Sequence, residues 1–155
     1  MLLTFSDEKF MRRIIDGTKI WTIRADRGNR WKPGRSIQLW MHSPRNVRKN
    51  PFQFGTATAA RVVQIKISKE NWHVLILLEN AKAWQKMDFT RIATNDGFDD
   101  AQEFFDWFGE FEGKLILWEN LKIETRSENG YNKQTGSLAA HRAADEPKTD
   151  DEKAV

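Results

Sequence analysis

The hydrophobic positions along this chain change period several times, and each change marks an element. Phe10, Met11, Ile14 and Ile15 form one helical stripe. Ser6 fits an N-cap ahead of them, Asp7 and Glu8 suit the first turn, and Gly17 is the expected stop. Lys19–Arg24 then reads as a strand. Residues 26–34 form a polar, basic loop closed by a Lys-Pro-Gly turn. Ser36–Met41 is a second strand, followed by a proline-containing loop. Gln53–Ile67, rich in Thr, Val and Ile, predicts a long or bent strand with Gly55 as a candidate bulge. Trp72–Leu78 is another strand and Phe89–Thr94 a short helix. A clearer helix opens at Asp99, and Lys114–Trp118 is the last strand. Phe98, Phe104, Phe105, Trp107, Phe108 and Trp118 are the expected aromatic core.

Strands and helices do not alternate regularly, so a doubly wound parallel sheet is not expected. The order points to an α+β domain: a small, partly open β-barrel of about five to six strands, with helices packed to one side. Side chains fill a barrel this small, so a ligand must sit at its mouth or in a groove beside it. From residue 123 onward large apolar residues almost vanish. The expectation is a domain over 1–122 and a disordered tail over 123–155.

Composition adds exclusions. Seven Trp and ten Phe supply a core, and the absence of cysteine removes disulfides and thiolate chemistry. No apolar run suits a membrane span and no leader pattern is visible, so a cytoplasmic protein is expected. His42, His73 and His141 show no metal-ligand spacing, and there is no phosphate-loop or dinucleotide fingerprint. Neither a metal nor a cofactor is expected.

Charge changes the picture most. From Lys9 to Lys49 there are twelve Lys or Arg against two acids, Asp16 and Asp26. Trp21, Trp31, Trp40 and Phe52 lie among these cations. Base stacking needs flat apolar faces beside positive charge, so RNA or a nucleotide is the expected partner. A merely solvated basic face, or a face that docks an acidic protein, are the competing readings.

One stretch concentrates candidate chemistry: Gly-Thr-Lys-Ile-Trp-Thr-Ile-Arg, residues 17–24. Thr22 and Arg24 share one strand face, and Trp21 and Ile23 share the other. With Trp21 and Ile23 on the core side, the polar pair faces away from it. Lys19 stands at the strand entrance, within reach of the same ligand. Arg24, Arg27, Arg30, Lys32, Arg35 and Trp21 are the candidate ligand-binding residues. Asp96 precedes the helix that opens at Asp99. It either closes the cleft opposite Lys19 or helps cap that helix.

The pattern G-x-K-x-x-T-x-R after a helix resembles the ASCH domain, whose fold is related to PUA RNA-binding domains. Three further stretches, "RWKPGRSIQLW", "NDGFDDAQEFFDWF" and "GKLILWENL", resemble its small phage and bacterial members. The resemblance covers about residues 1–122. It implies a PUA-like barrel with a basic, RNA-compatible cleft that binds RNA, a nucleotide or a nucleoside. One branch of the family comprises amidohydrolases acting on N4-acetylcytidine nucleosides, and other members are ribonucleases. The amidohydrolase branch uses the Lys and Thr of K-x-x-T, matched by Lys19 and Thr22, and a later Glu. Asp96 stands near that Glu position as a substitution. In such a site a desolvated Lys is the base that activates the Thr hydroxyl, and a carboxylate orients the Lys or moves the proton.

Overall fold

A computed structural model describes residues 1–126 and 132–134. The chain forms β1 (Leu2–Phe5), α1 (Glu8–Ile15), β2 (Trp21–Arg24) and β3 (Ser36–Met41). A single 3-10 turn follows at Val47–Lys49, then β4 (Phe52–Ser68), β5 (His73–Leu77) and β6 (Gln85–Met87). Next come α2 (Phe89–Asn95), α3 (Ala101–Phe108), β7 (Glu110–Arg126) and the short β8 (Asn132–Gln134). The fold is α+β.

Two long antiparallel strands make the spine. β4 and β7 pair from Gly55↔Ile123 to Ser68↔Glu110, with two register irregularities between. The other edge of β4 carries β3 on its first half and β5 on its second. β2 pairs antiparallel with the free edge of β7, and β1 pairs parallel with β3, so the sheet is mixed. β6 adds antiparallel to β5, so seven strands join, more than the five to six expected, and β8 extends the far end of β7. The run β1-β3-β4-β7-β2 does not close, because β1 and β2 do not pair. The sheet is therefore open rather than a closed barrel. Among the described residues no helix is long and apolar enough to cross a membrane.

Gly55 lies beside a bulge. Leu39 faces Gly55 and Trp40 faces Gln53, so Phe54 is the extra residue. A Cβ on Gly55 would lie 2.7 Å from the Lys122 carbonyl oxygen, so only glycine lets β7 approach.

The helices gather around one ring. Phe98 contacts Phe10 of α1 at 5.3 Å between centroids, and Phe104, Trp107 and Phe108 of α3 at 5.4, 5.8 and 5.9 Å. These edge-to-face contacts fix α1 and α3 against each other. Phe98, Phe104 and Phe105 are fully buried. Trp107 departs from expectation: it is 58% exposed, at the helix surface rather than in the core.

Several boundaries moved. Asp7, not Ser6, is the N-cap of α1: its carboxylate accepts from the Lys9 backbone N–H at 2.8 Å. β1 was not foreseen, because four residues carry too little periodicity to read. β7 runs past residue 122, and Ile123 packs against the core. Within the expected disordered tail, residues 123–126 continue β7 and Asn132–Gln134 form β8 against it; the rest of that tail lies outside the described residues.

Candidate ligand cleft

The Gly17 turn sets the geometry. Gly17 has φ +83°, a left-handed value that stops α1 without strain. The chain then reverses between two helix ends. The Lys19 backbone N–H donates to Arg13 O at 2.8 Å, and the Ile20 N–H donates to Asn95 O at 3.0 Å. Lys19 is thereby pinned where α1 and α2 both finish, and β2 begins directly after it.

Lys19 is 3% exposed and so is Asp96, the residue that ends α2. Lys19 Nζ donates to Asp96 Oδ1 at 2.5 Å and to the Asp96 backbone oxygen. The ammonium also lies 5.1 Å from the Phe10 ring centre and 5.9 Å from that of Phe5, a cation–π environment. Burial pushes the Asp96 carboxyl up to about 6, against the pull of the Lys19 charge. Burial likewise lowers Lys19, against the attraction of Asp96. In both groups desolvation outweighs the mutual attraction and favours the neutral form. A neutral amine is a base, and a neutral carboxyl is a proton donor.

Gly97 makes room for this pair. It has φ +91°, and a Cβ there would meet Lys19 Cδ and Phe10 Cδ1 at 3.1 Å each. Outside it, Arg13 donates to the Gly97 carbonyl at 2.6 Å and pairs with Asp99, while Lys9 pairs with Glu103. These partly exposed pairs position α1 against the α2–α3 corner more than they stabilise it.

Thr22 is buried beside Lys19, and Ile23 is buried on the opposite face of β2. Thr22 and Arg24 therefore face into the space between sheet and helices, not away from the core as expected. Both faces of β2 are covered, because α1 and the Phe98 region pack over one of them. Among the described residues no hydrogen bond joins Lys19 to the Thr22 hydroxyl; Lys19 gives its bonds to Asp96.

Arg24 reaches across the opening of the sheet. Its Nη2 donates to Thr4 O on β1 at 2.9 Å, and its guanidinium lies 5.0 Å from the Phe5 ring centre. The Nε–H is buried with no acceptor among the described residues. Two cavities meet here. A small one of about 70 Å³ is lined by Lys19, Thr22, Arg24 and Asp96, with Trp107 among its walls. Its size suits a compact functional group. A wider groove of about 360 Å³ adjoins it and shares Thr4, Phe5, Ser6 and Arg24. Its further wall comes from His42, Ser43, Asn46 and Lys49.

The structure thus brings Lys19, Thr22, Arg24 and Asp96 to one site. Arg27, Arg30, Lys32 and Arg35 are exposed and line neither cavity. Their loop folds around Asp26, whose carboxylate accepts from the Arg30 and Trp31 backbone N–H groups at 2.8 and 3.0 Å, and Trp31 is buried beneath it. Trp21 is half-buried against the core and does not line the cleft. Sequence reasoning missed Trp107, His42 and Lys49. The one local signal was the basic Pro-Arg-Asn loop after β3. His42 has φ +60°, a left-handed value uncommon in a non-glycine residue. Among the described residues no cluster of three or more His, Asp or Glu is placed to hold a metal.

Comparison with protein-family models, curated proteins and solved structures found no match for this chain.

Proposed function

We propose that the chain is an ASCH-type, PUA-like protein whose cleft binds a nucleoside or nucleotide, free or within RNA. The observation that carries this reading is the convergence of Lys19, Thr22, Arg24 and Asp96, from two regions more than seventy residues apart, on one cavity at the opening of the sheet. Trp107 adds a half-exposed indole at the same cavity, and an aromatic face there suits a base. The small cavity takes an exocyclic group of that base, with Thr22 and the Lys19–Asp96 pair as its polar contacts.

The second reading is hydrolysis at the same place. It is favoured by the buried Lys19–Asp96 pair beside Thr22, with both charged groups pushed toward neutrality. In that reaction the Thr22 oxygen attacks an acyl carbonyl while Lys19 takes the hydroxyl proton. The C–N bond breaks, and the leaving amine takes a proton from the Lys19–Asp96 pair. Water then hydrolyses the acyl-threonine, releasing the acid and restoring the hydroxyl.

The test is calorimetric titration with cytidine, N4-acetylcytidine and a short single-stranded RNA, alongside assays of deacetylation and RNA cleavage. Binding without turnover supports the first reading. Deacetylation that drops by orders of magnitude in Thr22→Val supports the second. Absence of binding and of turnover with every ligand overturns both.

A further inference from the structure

We infer that the wider groove beside the cleft is a phosphate subsite, so that the ligand is a nucleotide rather than a bare nucleoside; the identity of the ligand's other half rests on the reading above. All three titratable residues lining the groove, Arg24, His42 and Lys49, are basic types, and no carboxylate joins them. Ser6, Ser43 and Asn46 add hydroxyl and amide donors. A phosphate offers several strong acceptor oxygens and negative charge, and this lining supplies the matching donors.

Arg24 ties the subsite to the cleft. It lines both cavities, and one of its nitrogens is committed to Thr4 O. Its Nε–H is left buried without an acceptor among the described residues. A buried donor in that state is costly; what the groove offers an anionic oxygen is the rest of the guanidinium, which lines it beside His42 and Lys49. The opposite wall is held in place by the backbone: the His42 N–H donates to Phe5 O at 2.7 Å, while His42 itself keeps its left-handed conformation. Strain of this kind persists where surrounding contacts enforce it. The groove, at about 360 Å³, is several times the volume of the deep cavity, which fits a phosphate and sugar outside and a small group inside.

The experiment compares cytidine, its 5′-monophosphate and a dinucleoside monophosphate by calorimetry on the parent chain and on Lys49→Ala. In parallel, inorganic phosphate is titrated while the His42 ring signals are followed by NMR, assigned with His42→Gln. The expected result is a phosphate advantage of about tenfold or more, cut severalfold in Lys49→Ala, with a saturable His42 shift. The dinucleotide arm tells whether a diester serves as well as a monoester, and an advantage in either supports the subsite. Equal affinity for nucleoside and both phosphates, or an advantage that Lys49→Ala leaves untouched, overturns the subsite and spares the cleft. If no nucleoside binds but phosphate shifts His42 saturably, the subsite stands and the nucleoside reading falls. If neither binds, both fall.

Discussion

Lys19 Nζ and Asp96 Oδ1 lie 2.5 Å apart in a site where each residue is 3% exposed. Two opposite charges at that depth are held by each other. Removing either partner leaves an uncompensated buried charge. Lys19→Met and Asp96→Asn are each expected to cost about 3–5 kcal/mol, and the double variant clearly less than the sum. Urea unfolding of the four proteins checks this. Additive losses would mean that the two groups do not interact.

The same pair sets a pH dependence. The folded Asp96 titrates at about 6, above its ordinary value of 3.8. Between those values the folded state holds a proton that the unfolded state has released. The contribution of this group to stability therefore falls as pH rises from about 4 to 6, by on the order of 2–3 kcal/mol. Unfolding measured at intervals of pH is expected to show this downward slope in the parent and to lack it in Asp96→Asn. A slope shared by both proteins would assign it to other groups.

Gly97 is constrained twice, by its φ of +91° and by Lys19 and Phe10 at 3.1 Å from any added Cβ. Gly97→Ala is expected to cost about 1–2 kcal/mol from backbone strain alone, and more as Lys19 is displaced. Gly17, at a similar φ of +83° but with nothing within 4 Å of an added Cβ, is the control. Equal losses at the two positions would show that crowding against Lys19 contributes nothing.

Trp107 separates stacking from folding. The residue is 58% exposed, yet its ring packs edge-on against Phe10 and Phe98, so Trp107→Ala is expected to lower the urea midpoint modestly while leaving the chain folded. Ligand affinity is expected to drop by roughly 1–3 kcal/mol, the worth of one stacked base. An unchanged affinity would remove Trp107 from the site.

The end of the domain also becomes testable. Ile123 pairs with Gly55 and packs on the core, and the Gln53 side chain donates to Glu124 at 3.0 Å. A chain ending at Lys122 loses these contacts and is expected to be less stable by about 1–2 kcal/mol than one ending at Gln134. Identical melting curves would return the boundary to residue 122.

Much of this architecture was legible in the chain. The span of β3, Ser36–Met41, follows from its alternation, and the α1 stripe and the bulge beside Gly55 follow from local rules. Alternation also paired Thr22 with Arg24. It put Trp21 and Ile23 on the core side and the polar pair away from it; the polar face is covered as well, because α1 and the distant Phe98 region pack over it, which strand alternation alone does not carry. For the same reason charge density pointed to Arg27, Arg30, Lys32 and Arg35. Those residues are basic because their loop is solvated, while the cations that line the cavities are Lys19, Arg24 and Lys49. Trp107 followed the phenylalanines in sequence, but its place on the turn of α3 faces outward. For Asp96 the sequence left two readings, closing the cleft opposite Lys19 or capping the following helix; its side chain pairs with Lys19, and Asp100 is the cap of α3.

The most direct measurement of the central claim is an amide NMR titration of the full chain with N4-acetylcytidine and with cytidine 5′-monophosphate. The account expects saturable shifts at the backbone amides of residues 19–24 and 96–98 and at the Trp107 indole, with the amides of residues 27–35 left in place. Shifts confined to residues 27–35, or no shift at all, would contradict it.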